Sequence, residues 1–179
     1  NLGDINFTDI NASPIGTGKP REMALDLGYS RKLSENLSAG VALRYVYSNI
    51  SSGYAGNTDF NPGKAFATDL GLYYTKSNEN AAAQKQTFSW GVVISNLGSK
   101  ISYSSIRKDF IPMNLGIGLA YTKEIDEYNK VTFALDLNKL LVPSLQIASD
   151  STGKSFYFYP EKTVVSGMMG SFSDAPGGF

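Results

Sequence analysis

Four charged side chains stand out because their neighbours in the sequence are mostly apolar or very small. They are Asp26, Arg44, Asp69 and Asp136. A guanidinium among three carboxylates is suited to lining a polar pathway or contacting a ligand, and equally to an ion-pair network that fills and stiffens an interior. We favour the network, because a charge buried without a partner is costly. This interpretation predicts that Arg44 lies within salt-bridge distance of Asp26 or Asp69.

The amino-acid composition excludes most other kinds of catalytic and metal-binding site. The chain of 179 residues contains no Cys and no His. It has no disulfide or thiolate metal ligand, and it lacks the commonest general base. Most familiar catalytic constellations are therefore excluded, although carboxylate or Lys chemistry stays open, and we expect no cofactor and no metal. The segment ASDSTGKS (148–155) is one glycine short of a phosphate-binding loop and leads into no helix pattern, so we interpret it as a loop. Sixteen basic residues balance sixteen acidic ones, which gives no indication of a nucleic-acid partner.

Six stretches alternate apolar with small or polar residues at a period of two, which is typical of β-strands. In LSAGVALRYVYSN (37–49), Leu43 and Tyr45 share one face and Arg44 lies on the other. The same pattern covers residues 23–33, 65–75, 87–97, 112–122 and 130–139. No comparable helical period is found, and a further short strand is predicted near Thr163. The fold class is therefore predicted to be all-β.

The face opposite the apolar one indicates which solvent the apolar face contacts. It is built from Gly, Ala, Ser, Thr and Asn, which make a poor water-exposed surface but a good lining for a lumen. The apolar face is continuous and carries Tyr or Trp near strand ends, as membrane interfaces favour. We therefore predict an antiparallel transmembrane β-barrel with lipid outside and Asp26, Arg44, Asp69 and Asp136 facing the lumen. A soluble β-sandwich is the alternative.

The predicted connections alternate between short and long. Short or intermediate ones lie at 34–36, 76–85 and 123–129, and long ones rich in Gly, Ser and Pro lie at 50–63, 99–111, 143–162 and 167–179. Outer-membrane barrels show this asymmetry, with short periplasmic turns and long extracellular loops. Residues 1–179 are thus interpreted as one barrel domain of six to seven strands. Because an open sheet edge in lipid leaves backbone groups unpaired, we expect further strands outside this sequence.

The last predicted loop, GMMGSFSDAPGGF (167–179), combines Met and aromatic side chains with Gly and Pro. Flexible Met and large aromatic side chains suit contact with another protein. The candidate partner-binding residues are Met168, Met169, Phe172, Asp174, Pro176 and Phe179. The alternative is a loop that plugs its own barrel.

Three segments resemble a known family. REMALDLGYSRKLSENLSAGVALRYVYSNISSGY (21–54), SNLGSKISY (95–103) and SFSDAPGGF (171–179) are similar to the PorV family of the bacterial type IX secretion system. These proteins are outer-membrane barrels within the wider FadL-like group. The resemblance covers nearly the whole chain. It implies a barrel of about fourteen strands in the outer membrane of a Gram-negative bacterium, of which this chain would form roughly the middle half.

The resemblance also implies a non-enzymatic role in protein secretion. The implied partners are the large translocon barrel, cargo proteins with a C-terminal signal domain, a surface attachment complex with a sortase-like protease, and outer-membrane lipid. The long loops would make the protein contacts, and no residue-level binding motif carries over. The alternative function is FadL-like transport of hydrophobic small molecules, which needs a ligand pocket and an exit path.

Overall fold

A computed structural model describes residues 3–50, 61–79, 84–104, 108–144, 146–149, 153–158 and 161–173. Its main body is a six-stranded antiparallel sheet in which every strand pairs with its neighbour in sequence. The six strands are β3 (Arg21–Lys32), β4 (Leu37–Asn49), β5 (Gly63–Glu79), β6 (Lys85–Gly98), β7 (Asn114–Glu124) and β8 (Lys130–Leu140). The predicted all-β class is confirmed, and the six predicted strands are all present.

The strand pairing places the two kinds of side chain on opposite faces of the sheet. Arg44 of β4 lies opposite Asp26 of β3 and Ala67 of β5, so these three share a face. Leu43 lies opposite Leu27, on the apolar face. Residues directly opposite each other in an antiparallel pair project to the same side, which is why one period-two pattern continues across the sheet.

The small-residue face is the concave one. A cavity of about 840 Å³ on this face is lined by residues from all six strands, from Gly28 of β3 to Asn138 of β8. Residues so far apart in a meander can line one cavity only if the sheet curves around it. The apolar face is therefore convex, and the whole arrangement is consistent with part of a β-barrel.

The short and long connections separate to opposite ends of the sheet, as predicted. At one end, β3 leads to β4 across four residues, and β7 leads to β8 across five. The long connections lie at the other end of the sheet, and we call this end the long-loop end. A small core lies there, formed by five buried side chains: Ala65, Ala67, Ile111, Met113 and Leu141.

Two short hairpins accompany the main sheet. The first joins β1 (Ile5–Thr8) to β2 (Pro14–Gly18), and the Asp9 carboxylate accepts hydrogen bonds from two backbone N–H groups in the turn between them. The second joins β9 (Gln146–Ser149) to β10 (Ser155–Phe158), within the stretch predicted to be a loop at 143–162. Sequence periodicity missed both hairpins because each strand has only four or five residues.

The predicted short strand near Thr163 is wrong: the chain forms helix α1 (Val164–Gly170) there. The Thr163 hydroxyl accepts a hydrogen bond from the Ser166 N–H at 3.2 Å and so caps the first turn. Gly167 is buried against the core, and a Cβ built on it would lie 2.8 Å from the Phe110 ring. Tertiary contact at Gly167 thus supports a helix that two β-branched valines disfavour locally.

Candidate functional site

An ion-pair network occupies the concave face near the long-loop end. Arg44 Nε donates to Asp26 Oδ1 at 2.6 Å, and Arg44 Nη2 lies 3.4 Å from Asp69 Oδ2. The three residues come from adjacent strands, so the guanidinium spans the middle strand and contacts a carboxylate on each side. The predicted pairing of Arg44 is confirmed, with both carboxylates rather than one.

Asn96 extends the network to a fourth strand. Two residues of β6, Ser95 and Asn96, lie opposite the single residue Asp69 of β5, which makes a β-bulge. Asn96 adopts a left-handed backbone with φ of 56°, a conformation that Asn tolerates better than most residues. Its N–H donates to Asp69 Oδ1 at 2.6 Å, and Arg44 Nη1 donates to its side-chain oxygen at 2.6 Å.

The Asn96 amide group also connects the wall to the segment that precedes β7. Its Nδ2 donates to the carbonyl oxygen of Pro112 at 3.0 Å. Ile111 and Met113, on either side of Pro112, are both buried in the core of the long-loop end. The network therefore also contacts the segment that packs against the small core at the long-loop end.

Asp136 also lies on the concave face but does not join the network. It belongs to β8, opposite Gly118 of β7, and a Cβ built on Gly118 would lie 2.6 Å from Asp136 Oδ1. The carboxylate thus lies over a glycine in a position that a side chain would otherwise fill. Three of the four predicted polar residues are brought together, and the fourth is separated from them by β6 and β7.

Sequence reasoning missed Asn96 and Tyr73. Asn96 lies at the end of a regular alternating stretch, and nothing in the pattern marks the extra residue of the bulge. Tyr73 lies opposite Ser38 and Gly91 on the concave face, where its hydroxyl donates to Ser89 Oγ at 3.3 Å. The sequence pattern places Tyr74 on the apolar face and does not single out Tyr73. Because successive residues of a strand alternate, Tyr73 lies on the opposite, concave face.

Helix α1 gives the candidate partner-binding residues a definite arrangement. Met168 packs against the core, together with Val164. Met169 and Phe172 point outward with 63% and 57% of their surface exposed, and Val165 is exposed beside them. Asp174, Pro176 and Phe179 lie outside the described residues. The predicted loop at 167–179 therefore begins in the last turn of a helix that presents an apolar stripe.

The convex face exposes an apolar surface bounded by aromatic side chains. Leu27 and Phe133, on the two outermost strands, are each 72% exposed. Tyr45 and Phe66 pack together toward the long-loop end, with ring centroids 5.0 Å apart. Tyr74 and Trp90 stack toward the other end at 5.7 Å. No helix among the described residues is both long and apolar enough to cross a membrane.

Comparison with known families identifies the chain. A family model described as type IX secretion system protein PorV matches residues 1–147. The chain belongs to the PorV family. Its place in a bacterial secretion system follows from this membership. No curated protein matches the chain.

The PorV match covers all six strands of the curved sheet and the complete Arg44 network. The curved sheet and the Arg44 network therefore both lie within the part of the chain that matches the family. Helix α1 lies beyond the matched range, although it packs on Phe110 within it. What α1 contributes has to be argued from its own geometry.

Proposed function

We propose that this chain forms part of the wall of an outer-membrane β-barrel in a Gram-negative bacterium, with no catalytic role of its own. The exposed convex face carries this proposal. Apolar side chains as open to solvent as Leu27 and Phe133 would favour aggregation in water, whereas lipid is a solvent in which they are stable. The six strands have 11 to 17 residues, which meets or exceeds the about 9–11 needed to cross a bilayer at a tilt.

We further propose that the long-loop end binds protein partners of the secretion system: the large translocon barrel and cargo proteins with a C-terminal signal domain. The barrel then presents the cargo to a surface attachment complex that contains a sortase-like protease. Support comes from an exposed apolar stripe, formed by Val165 and Met169 of α1 and by Phe172 in the turn that follows the helix. Met and aromatic side chains of this kind are enriched at protein interfaces.

The test replaces the stripe and leaves the helix that carries it. In a cell that depends on this protein for secretion, the triple variant Val165→Ser, Met169→Ser, Phe172→Ser is expected to lose co-purification with the translocon barrel and to lower cargo secretion. The matched control is Ile125→Ser with Tyr128→Ser, which removes exposed apolar side chains at the opposite end of the sheet. A triple variant that folds, forms the complex and secretes cargo normally would show that the stripe is not the contact.

A second candidate function is FadL-like transport of hydrophobic small molecules. The cavity of about 840 Å³ on the concave face favours it, since a transporter needs space for a ligand. Binding of a labelled fatty acid to the purified protein discriminates between the two functions. Saturable binding that weakens on Gly71→Leu, which fills the cavity, together with normal secretion by that variant, would favour transport over protein carriage.

A further inference from the structure

Three lysines converge on a second cavity, at the place where β4 ends and β5 begins. Lys64 is the second residue of β5, and Lys100 and Lys108 belong to the connection between β6 and β7. The cavity has a volume of about 580 Å³. Its remaining lining residues are Tyr47, Asn61, Pro62, Ser99 and Ser102. Among the residues that the structure describes, every charged side chain in this lining is a cation, and polar hydroxyl and amide side chains accompany the three lysines.

Within the described part of the chain, no carboxylate lies within salt-bridge distance of any of these lysines. The ion pairs found there involve Lys19 and Arg44 instead. Lys100 is held in place by an aromatic ring, because its Nζ lies 4.3 Å from the centroid of Phe110. Three lysines that line one cavity bring like charges to the same part of the surface, and a multiply charged anion would offset their mutual repulsion.

The chemistry of the lining fits a phosphate group. Each ammonium group offers up to three N–H donors, and Asn61 and Ser99 add polar side chains to the lining. Phosphate oxygens accept charge-assisted hydrogen bonds of this kind, and Lys recognises phosphate as a point charge. Lys64 and Lys108 are exposed, so a headgroup can reach the cavity from outside.

The neighbouring surface indicates how the phosphate is presented. Tyr47 and Lys64 lie directly opposite each other on the convex face, and the next pair along the strands is Tyr45 with Phe66. The cavity thus adjoins the exposed apolar surface at its aromatic border. Lysines that reach from an apolar surface to the polar headgroup layer are a common feature of membrane interfaces.

We propose that this cavity binds the phosphate-bearing headgroup of a membrane lipid, whose hydrocarbon chains lie along the convex face beside Phe66. The inference rests on the proposed placement of the convex face in lipid. The lipid occupies the boundary between the wall and the long-loop end, so it anchors the connection between β6 and β7 to the bilayer surface.

The test measures binding of short-chain phosphatidic acid to the purified protein in a zwitterionic detergent. Two control compounds each carry one half of this lipid: diacylglycerol has the same acyl chains without the phosphate, and inorganic phosphate has no acyl chains. The variant Lys64→Gln, Lys100→Gln, Lys108→Gln is expected to bind phosphatidic acid at least tenfold more weakly than the unaltered protein. The charge-matched control, Lys76→Gln, Lys85→Gln, Lys130→Gln, removes three exposed lysines at the opposite end and is expected to bind normally.

Equal binding by the two triple variants would overturn the proposal. Inorganic phosphate that binds as tightly as phosphatidic acid would overturn the lipid assignment, and so would diacylglycerol that binds as tightly. If the triple variant does not fold, Lys108→Glu at an exposed position is expected to show the same loss, and unchanged binding would count against the site. The secretion test uses other residues, so lipid binding can fail while the proposed secretion role stands.

Discussion

Arg44 donates a hydrogen bond to Asn96 at 2.6 Å, although 52 positions separate the two residues in the chain. The bond passes over β5 and joins β4 to β6 on the concave face. It can form because the bulge in β6 turns the Asn96 side chain toward Arg44. At the same residue, the backbone N–H donates a hydrogen bond to Asp69 Oδ1. A backbone irregularity and an ion pair thus depend on each other.

Replacing Arg44 is expected to destabilise the protein by about 1–2 kcal/mol. Arg44→Gln leaves Asp26 and Asp69 without a cation, but the Arg44 side chain is 29% exposed and water screens part of the loss. The measurement is the free energy of unfolding by urea in detergent micelles. Adding Asp26→Asn and Asp69→Asn is expected to recover stability, since it removes the uncompensated charges.

A matched control separates this effect from a general loss of positive charge. Arg31 lies one strand away and forms no ion pair with any described residue, so Arg31→Gln is expected to change the unfolding free energy by less than about 0.5 kcal/mol. Equal losses for the two Arg variants, or no recovery on neutralising the carboxylates, would contradict the network.

Two glycines of the sheet are expected to respond differently to the same change. A Cβ on Gly98 would collide with the Phe66 carbonyl oxygen and lie 2.6 Å from Ala67 Cα. Backbone atoms cannot move aside as a side-chain end can, so Gly98→Ala is expected to cost about 2–3 kcal/mol. At Gly71 the nearest atom is 3.9 Å away, and Gly71→Ala is expected to be nearly neutral. Urea unfolding of both variants measures the two losses of unfolding free energy. A larger loss for Gly71→Ala than for Gly98→Ala would refute the close approach at Gly98.

Substitution of Gly167 is expected to release α1 from the core. Gly167→Ala places a Cβ 2.8 Å from the Phe110 ring and 3.0 Å from Pro143, although Ala favours helix formation by about 1 kcal/mol. The steric contact should outweigh the helix propensity, because the Phe110 ring is itself packed against the core and lies beside Lys100 Nζ. Limited proteolysis after Lys162 is expected to become about fivefold faster, which corresponds to 1 kcal/mol of docking energy. The control Ser166→Ala, at an exposed helical position, should leave the rate unchanged.

The turn between β7 and β8 is expected to respond to acid. The pKa of Asp126 is lowered, first by the hydrogen bond from the Asn129 side chain and then by the Tyr128 N–H. A lowered pKa in the folded state means that the carboxylate stabilises the turn above the ordinary Asp pKa. This stabilisation is lost as pH falls through the lowered value. An NMR titration of the Asp126 carboxyl carbon should give a midpoint below that of Asp in an unstructured peptide, and a normal or raised midpoint would contradict the turn geometry.

Much of the wall could be predicted because a strand in a curved sheet repeats one simple rule. Leu25, Leu43 and Leu72 each follow the two-residue alternation, and the strand pairing keeps all three on the convex face. The ion pair of Arg44 with Asp26 followed from the same rule combined with the cost of leaving a charge unpaired.

What escaped prediction depends on contacts between distant parts of the chain. Nothing local marks Asn96 as the extra residue of a bulge, because its left-handed backbone is stabilised by Asp69 and Pro112. Helix α1 begins with two valines, whose local preference is for strands, and it exists because Thr163 caps it and Gly167 packs on Phe110. Of the three lysines of the second cavity, Lys100 and Lys108 come from a segment that periodicity describes only as a loop, and Lys64 lies at the border between a predicted loop and a predicted strand.

The stacked pair of Tyr74 and Trp90 supplies an optical reporter, since Trp90 is the single tryptophan of the chain. The tryptophan fluorescence therefore reports the environment of a single position, on the convex face near the end with the short turns. Lipids that carry a quencher at a defined depth can locate that place in a bilayer without any added label. The emission of the unaltered protein, followed during refolding into vesicles, will time the arrival of this end of the sheet at its final depth.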